Sequence, residues 1–181
     1  MTLQDLLGIE LPIIQAPMAG WQGSAMAIAV AGAGGLGSLP CAPLTLEAMA
    51  SELKAIQSAT RKPFNVNFFC HSAPTVDAAR EAGWRKLLQP YFQEFGVVPA
   101  DAAAPSRAPF SSAAADVLEP FKPAVVSFHF GLPAADLVGR VKSWGSKVLG
   151  SATTVEEAIW LERHGADAII AQGFEIGRAH V

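Results

Sequence analysis

Polar side chains that could bind a small molecule recur where short apolar runs of this sequence end. Asn67 lies near the end of one run, Ser151 ends another and Gln172 follows a third. The carboxyl ends of parallel strands meet on one edge of a sheet or one rim of a barrel, so these groups would share a single ligand-binding mouth. The residues with this placement are Met18, Gly20, Asn65, Asn67, His71, Ser127, His129, Ser151, Thr153, Thr154, Gln172 and Gly173.

His129 is the member of this set best suited to acid–base chemistry. It lies between Phe128 and Phe130 and is followed by Gly131. Desolvation by such neighbours lowers the pKa of a histidine and keeps the imidazole neutral near pH 7. A neutral imidazole can donate or accept one hydrogen bond, so we expect His129 to face a substrate.

Several of these residues also have a purely structural interpretation. The alternative for Asn67 is that it satisfies backbone groups at the end of a strand. The sequence favours Thr154 as a helix N-cap, and Gln172 fits an ordinary polar rim position. We interpret His71 and His164 as surface residues.

Other common catalytic arrangements are missing from the sequence. Cys41 and Cys70 lack CxxC spacing, which predicts reduced thiols and no zinc or other metal site. The glycines of residues 32–37 follow a helical pattern and precede a strand, the wrong context for a dinucleotide loop, so they predict a tight turn. We find no Walker motif, no Ser/His/Asp order and no paired carboxylates on the expected rim.

The composition predicts a soluble globular protein. Its 13 basic and 16 acidic residues give a net charge of −3, which offers no basic surface for nucleic acid or for an anionic membrane. No apolar run reaches the ~18 residues that would span a membrane, and the first residues lack the pattern of a secretory signal. We therefore expect a cytoplasmic protein with neither nucleic acid nor membrane as a partner.

Apolar runs alternate with helical patterns about six times along the chain. Predicted helices cover residues 24–31, a stretch beginning after Thr45, and residues 74–93, 133–144 and 154–164, while residues 99–109 predict an exposed loop. Because the strand runs are continuously apolar, they predict parallel strands covered on both faces, in an α/β fold that is either an open doubly wound sheet or a barrel. The predicted strands are residues 12–15, 36–38, 64–70, 124–128, 147–151 and 168–171.

Five motifs resemble nitronate monooxygenases, in order and in spacing, from about Leu7 to Glu175. The resemblance implies a TIM (β/α)8 barrel with a small inserted domain, FMN held at the carboxyl rim, and oxidation of alkyl nitronates by O2 to a carbonyl compound and nitrite. The first motif is shared with related flavin barrels, whereas SFHFG and the AQG ending are more specific. The motifs are LPIIQAPMAG (11–20), PFNVNFF (63–69), VVSFHFGLP (125–133), SATTVEEA (151–158) and GADAIIAQGFE (165–175).

The resemblance also implies roles for individual residues. His129 would face the substrate and the flavin, where it would orient the nitro group or accept the α-proton of a neutral nitroalkane. Flavin contacts would come from the backbone of the first motif and from polar side chains of the later ones. These cofactor-binding residues are Ala16, Pro17 and Met18 by backbone contacts, Asn67 at the isoalloxazine edge, and Ser151 and Gln172 at the flavin or its ribityl chain.

The family pattern stops before the segments that would close such a barrel. A (β/α)8 barrel typically needs ~250 residues, and its phosphate-binding site is usually formed by the loops after strands seven and eight. We therefore expect residues 1–175 to form an incomplete FMN-binding barrel with about six of eight units, poor in phosphate binding and in activity. Residues 176–181 depart from the pattern, and we expect them to be a non-native tail.

Two further functions fit the same residues. One is another FMN-barrel oxidoreductase, such as a flavin-dependent enoyl-acyl-carrier-protein reductase or a dehydrogenase of the IMP type. The histidine of SFHFG counts against both, and the sequence has no cysteine-bearing loop of the IMP dehydrogenase type. The other is a non-catalytic truncated product, which the missing closing segments favour.

Overall fold

Helices and strands alternate along residues 2–72, 75, 77–99 and 108–173, which are the residues described by this computed structural model. The strands are β1 (Gly37–Pro40), β2 (Phe64–Phe69), β3 (Val125–His129), β4 (Lys147–Ala152) and β5 (Ala168–Ala171). The helices are α1 (Leu3–Leu7), α2 (Ser24–Gly32), α3 (Leu46–Ala59), α4 (Ala78–Glu94), α5 (Ser112–Leu118), α6 (Ala135–Ser143) and α7 (Val155–Arg163). The predicted α/β class is confirmed.

The five strands form one parallel sheet in the order β1-β2-β3-β4-β5. A doubly wound sheet reverses its strand order at a switch point, whereas a barrel adds each strand beside the one before it. The sequential order seen here therefore decides between the two predicted architectures. The sheet is part of a (β/α)8 barrel, and the predicted incomplete TIM barrel is confirmed.

The first predicted strand, residues 12–15, is the main departure from expectation. It makes only an isolated parallel bridge, which joins Ile14 to Leu36, so the structure has five strands and a bridge instead of six strands. Pro12 and Pro17 flank this bridge. Because proline lacks a backbone N–H, it cannot donate to a longer ladder on either side.

The other elements lie close to their predicted positions. β5 coincides with the predicted strand 168–171, and β3 ends one residue later than expected, so that His129 is its last residue. The predicted helix 74–93 appears as α4, although residues 74 and 76 lie outside the described residues. Most of the predicted loop 99–109 and the whole predicted tail 176–181 also lie outside them.

Two short helices, α1 and α5, were not predicted. Thr2 caps α1 through a reciprocal pair of hydrogen bonds with Asp5, the pattern of a capping box. Ser111 caps α5, since its hydroxyl accepts from the backbone N–H of Ala114. Both caps are visible in the sequence, but each helix is too short for its apolar period to be recognised.

One face of the sheet is apolar and packs against the helices. The members of this core that lie on α3 and α5 include Leu53, Ile56 and Leu118, each fully buried. Alternate strand residues point the same way, so the other residues of each strand are left for the opposite face. The strand residues in this core are Leu39, Phe64, Val66, Phe68, Val126, Phe128 and Val148.

The opposite face is apolar only toward the amino ends of the strands. There Val125 and Leu149 pack with Leu36, Leu7 and Ile9 in a second buried cluster. α1 and the residues after it therefore cover this end of the sheet. The carboxyl-terminal part of the same face carries polar residues, which is where a barrel places its ligand site.

Close packing of α2 on β1 explains a glycine at the start of β1. A Cβ atom added at Gly37 would lie 2.0 Å from the backbone oxygen of Ala27. Only glycine allows this approach of helix and strand backbones. The predicted tight turn at residues 32–37 is thus confirmed, with Gly34 in the left-handed region at φ +94°.

The chain divides into two compact units, one of Met1–His71 with Arg107–Val181 and a smaller one of Ser72–Ser106. The described part of the smaller unit is dominated by α4, which Asp77 caps and which contains Pro90. None of the residues of α4 is buried. Its exposed large apolar side chains are Trp84, Leu87 and Tyr91.

Candidate active site

A network of buried polar side chains occupies the face of the sheet opposite the helix-packed core. The amide Nδ2 of Asn65 donates to the hydroxyls of Ser38, at 3.1 Å, and of Ser127, at 2.9 Å. Asn67 donates from Nδ2 to the same Ser127 hydroxyl at 2.9 Å and to its backbone oxygen at 3.2 Å. All four residues are at least nine-tenths buried. The contacts of Asn67 with Ser127 therefore agree with the structural role that the sequence also allowed for Asn67.

Asn65 leaves one acceptor of this network unsatisfied. Its Oδ1 is buried and has no hydrogen-bond partner among the described residues. A buried polar atom without a partner costs about 1–3 kcal/mol, so native proteins generally supply one. The inner face of the sheet thus offers an acceptor for a donor that comes from outside the described residues.

A pocket of about 780 Å³ lies at the carboxyl ends of β3, β4 and β5. It is lined by four residues that the sequence placed on one rim: His129, Ser151, Thr153 and Gln172. They come from three successive strands or the residue directly after one, as the parallel topology requires. Asn67 and the predicted flavin contacts at Ala16, Pro17 and Met18 do not line this pocket.

His129 is surrounded by aromatic side chains, as its sequence neighbours suggested. Its ring centroid lies 4.2 Å from that of Phe130 and 6.1 Å from that of Phe69. The backbone oxygen of His129 accepts from the N–H of Cys70 at 2.8 Å, which ties the ends of β2 and β3 together. The imidazole is therefore held at the pocket by packing on its neighbours and by a fixed strand end.

The first turn of α7 adds acidic side chains to the same pocket. Thr154 caps the helix, since its hydroxyl accepts from the N–H of Glu157, and the predicted N-cap is confirmed. The carboxylate of Glu157 accepts from the backbone N–H of Thr153 at 2.6 Å and from its hydroxyl at 2.8 Å. These bonds to Thr153 lower the pKa of Glu157, with a smaller contribution from the attraction of His129. Glu157 thus presents a negative charge toward His129.

The first motif forms an exposed loop beyond the bridge at Ile14. The backbone oxygen of Ala16 accepts from Nε2 of Gln22 at 2.7 Å, and the oxygen of Met18 accepts from the N–H of Trp21 at 3.2 Å. Ala16 is exposed and Met18 is half-buried. Oε1 of Gln22 is buried without a partner among the described residues. This loop, like the inner face at Asn65, therefore offers a buried acceptor.

The cysteines take no part in this site. Burial raises the pKa of the Cys70 thiol to about 12, and it also raises the pKa of the fully buried Cys41. Both cysteines are free. A thiol with so high a pKa is neither a good nucleophile nor a ready metal ligand. In the part of the chain that the structure describes, no group of His, Cys, Asp and Glu is arranged to hold a metal ion.

The family model of nitronate monooxygenases matches residues 1–180. The chain belongs to the nitronate monooxygenase family. Nitronate monooxygenases and their structural neighbours are flavin enzymes. No helix in the described ranges is long and apolar enough to cross a membrane.

Curated nitronate monooxygenases match nearly the whole chain. The protein of Paraburkholderia phytofirmans is 44% identical over 177 residues, which is 97% of this chain and 48% of that protein. The protein of Pseudomonas aeruginosa is 44% identical over 174 residues, which is 95% of this chain and 50% of that protein. The chain thus spans about half the length of the curated relatives that it matches.

Solved structures agree with this family. A nitroalkane oxidase from Streptomyces ansochromogenes superposes with a TM-score of 0.82 at 37% identity, over 95% of this chain and 48% of that one. FabK from Thermotoga maritima superposes with a TM-score of 0.68 at 27% identity, over 93% of this chain and 42% of that one. The larger TM-score and the higher identity both favour the nitroalkane enzyme over FabK.

Sequence reasoning missed five side chains of the pocket. They are Phe130, Glu156, Glu157, Trp160 and Leu161. The VVSFHFGLP motif contained a signal for Phe130, because a residue directly after a strand-end histidine lies on the same rim. Glu157 and Trp160 belong to α7, and only the packing of α7 beside β4 and β5 brings them to the rim.

Proposed function

We propose that this chain belongs to an FMN-dependent nitronate monooxygenase, which oxidises alkyl nitronates with O2 to a carbonyl compound and nitrite. The observation that carries the proposal is the pocket at the carboxyl ends of β3 to β5, where His129, Ser151 and Gln172 meet. Membership of the family and the likeness to a nitroalkane oxidase support the same reaction.

The chemistry of the site residues fits a flavin. A buried acceptor without a partner among the described residues occurs at Gln22, beside the loop of Ala16, and a ring with an N–H donor would satisfy it. FMN would supply the redox chemistry when bound, while the protein binds and orients it. We propose that it is held by the backbone of Ala16, Pro17 and Met18 and by the side chains of Asn67, Ser151 and Gln172.

His129 provides the acid–base group of the proposed reaction. Its imidazole donates a hydrogen bond to the nitro group of the substrate and so orients the reacting carbon. With a neutral nitroalkane, the unprotonated ring nitrogen accepts the α-proton and the C–H electron pair stays on the substrate, which becomes the nitronate anion. The same residue thus serves both substrate forms.

The test is to measure nitrite release and O2 uptake by the FMN-reconstituted protein with a primary and a secondary alkyl nitronate. The proposal expects nitrite with either substrate, accompanied by O2 consumption. Oxidation of NADPH with an enoyl thioester, and no nitrite, would instead favour a flavin-dependent enoyl-acyl-carrier-protein reductase. Bound FMN with neither activity would favour a non-catalytic product.

We also propose a cytoplasmic location. Cys41 and Cys70 are both free, which suits a compartment that keeps thiols reduced. Fractionation of the source cells tests this location, and recovery of the protein in an extracytoplasmic fraction contradicts it.

A further inference from the structure

Phe130 has a backbone conformation that its side chain disfavours. Its φ is +67°, in the left-handed region, where a bulky residue is strained. Among the described non-glycine residues, only Lys122 shares a positive φ. Glycine would adopt this conformation without strain, and the following Gly131 does so at φ +95°. The turn after β3 therefore does not itself require a phenylalanine.

Burial does not account for the phenylalanine either. The Phe130 side chain is 58% exposed, so the core gains little from it. Its ring instead packs against other aromatic side chains, with centroids 4.2 Å from the pocket residue His129, 5.3 Å from Phe69 and 6.3 Å from His71. Strained residues that the surrounding structure holds in place cluster at functional sites.

We propose that Phe130 is a specificity residue of the pocket, whose ring packs on the imidazole of His129 and forms the apolar wall against which the alkyl group of the substrate lies. This inference rests on the proposed function, because it assigns the alkyl group of that substrate to one side of the pocket. Glu157 brings a carboxylate to the lining and is unsuited to an alkyl chain. Trp160 and Leu161 also bring apolar side chains to the lining, but Phe130 has its ring against the imidazole of His129, with the ring centroids 4.2 Å apart.

The kinetic test uses Phe130→Ala and Phe130→Leu with Phe130→Tyr as the conservative variant. Loss of the wall should lower kcat/KM for the smallest nitronate more than for a bulky branched one, because a bulky group refills the space. We expect the ratio of the two kcat/KM values to change by about tenfold or more in the alanine variant and less in the leucine variant. The tyrosine variant should keep the parent ratio. An unchanged ratio in both the alanine and leucine variants overturns the proposal.

Thermal unfolding separates this role from a structural one. In Phe130→Gly the backbone strain is relieved, so we expect its Tm to be at or above that of Phe130→Ala and within about 3 °C of the parent. A large fall in Tm for the glycine variant, with equal loss of activity on all nitronates, identifies a structural residue and overturns the proposal.

A third readout needs no substrate. NMR of the imidazole protons of His129 should show a shift when the ring of Phe130 is removed, because the two rings are in contact. If the parent protein oxidises no nitronate but this shift is present, the proposed reaction fails while the contact stands. If nitronate is oxidised and the shift and the substrate ratio are both unchanged, only the role of Phe130 is wrong.

Discussion

The side-chain amide of Asn67 donates to the hydroxyl of Ser127 at 2.9 Å, and this bond joins the polar faces of β2 and β3 beneath the candidate site. The two residues are also register partners in the sheet. The same Ser127 hydroxyl accepts from Asn65, so one serine oxygen connects two asparagines that lie two residues apart on β2. Asn67 is thus a structural residue by its contacts and a flavin ligand only by proposal.

Replacement of the two asparagines separates these roles. Asn65→Ala and Asn67→Ala each remove hydrogen bonds to Ser127, so both should lower the free energy of unfolding by about 1–3 kcal/mol. If Asn67 also contacts the flavin, only Asn67→Ala should weaken FMN binding at a temperature where both variants are folded. Urea unfolding and FMN fluorescence titration measure the two effects. Equal FMN affinity in both variants would remove Asn67 from the cofactor site.

A second prediction tests the packing of α2 on β1. The methyl group of Gly37→Ala would clash with the backbone oxygen of Ala27, so the variant should lose about 1–3 kcal/mol of stability or more. Gly139→Ala is the matched control, because Gly139 lies in α6 and nothing is within 4 Å of its added Cβ. The control should gain about 0.5–1 kcal/mol, since alanine is the better helix former. Similar urea midpoints for the two variants would show that the close approach is wrong.

A third prediction concerns acid stability. Hydrogen bonds from Thr153 lower the pKa of Glu157 from the ordinary value of 4.5, so the ionised carboxylate stabilises the folded state. This stabilisation is fully present above pH 4.5 and is lost as the pH falls through the lower, folded-state pKa. Glu157→Gln should therefore lower Tm at pH 7 and have less effect once the pH is well below 4.5.

Glu156→Gln is the control for this prediction. It removes a charge from the same helix turn and leaves the contacts of Thr153 in place. Its pH dependence of Tm should follow that of the parent protein. If Glu157→Gln also follows the parent from pH 7 to pH 3, the carboxylate of Glu157 does not contribute as described.

The strand pattern and the rim could be read from the sequence because continuous apolar runs identify buried parallel strands. Residues 168–171 were predicted to the residue, and the helix after Thr154 followed from its cap. The prediction of the first strand failed because residues 12–15 have the apolar pattern of a strand but begin with Pro12 and are soon followed by Pro17. The pattern of apolar residues indicates which side chains are buried. Strand pairing also needs backbone N–H donors, and proline has none.

The site was predicted only in part, because the sequence indicates where strands end but not how the helices pack beside them. Parallel topology places His129, Ser151 and Gln172 on one rim whatever the details of the fold, and they share a pocket. Glu157 could not be found this way, because its approach to the rim depends on how α7 packs. The strain at Phe130 is a property of the backbone, and no residue type in the sequence reveals it.

In the proposed mechanism, His129 performs acid–base chemistry on a nitronate or nitroalkane in this pocket. The most direct test is kcat/KM for nitrite release by His129→Ala at matched FMN content, with the exposed His164→Ala as control. We expect a loss of about 100-fold or more for His129→Ala and a rate near that of the parent for His164→Ala. Nitrite release by His129→Ala at the parent rate, with FMN fully bound, would show that His129 does not have this role.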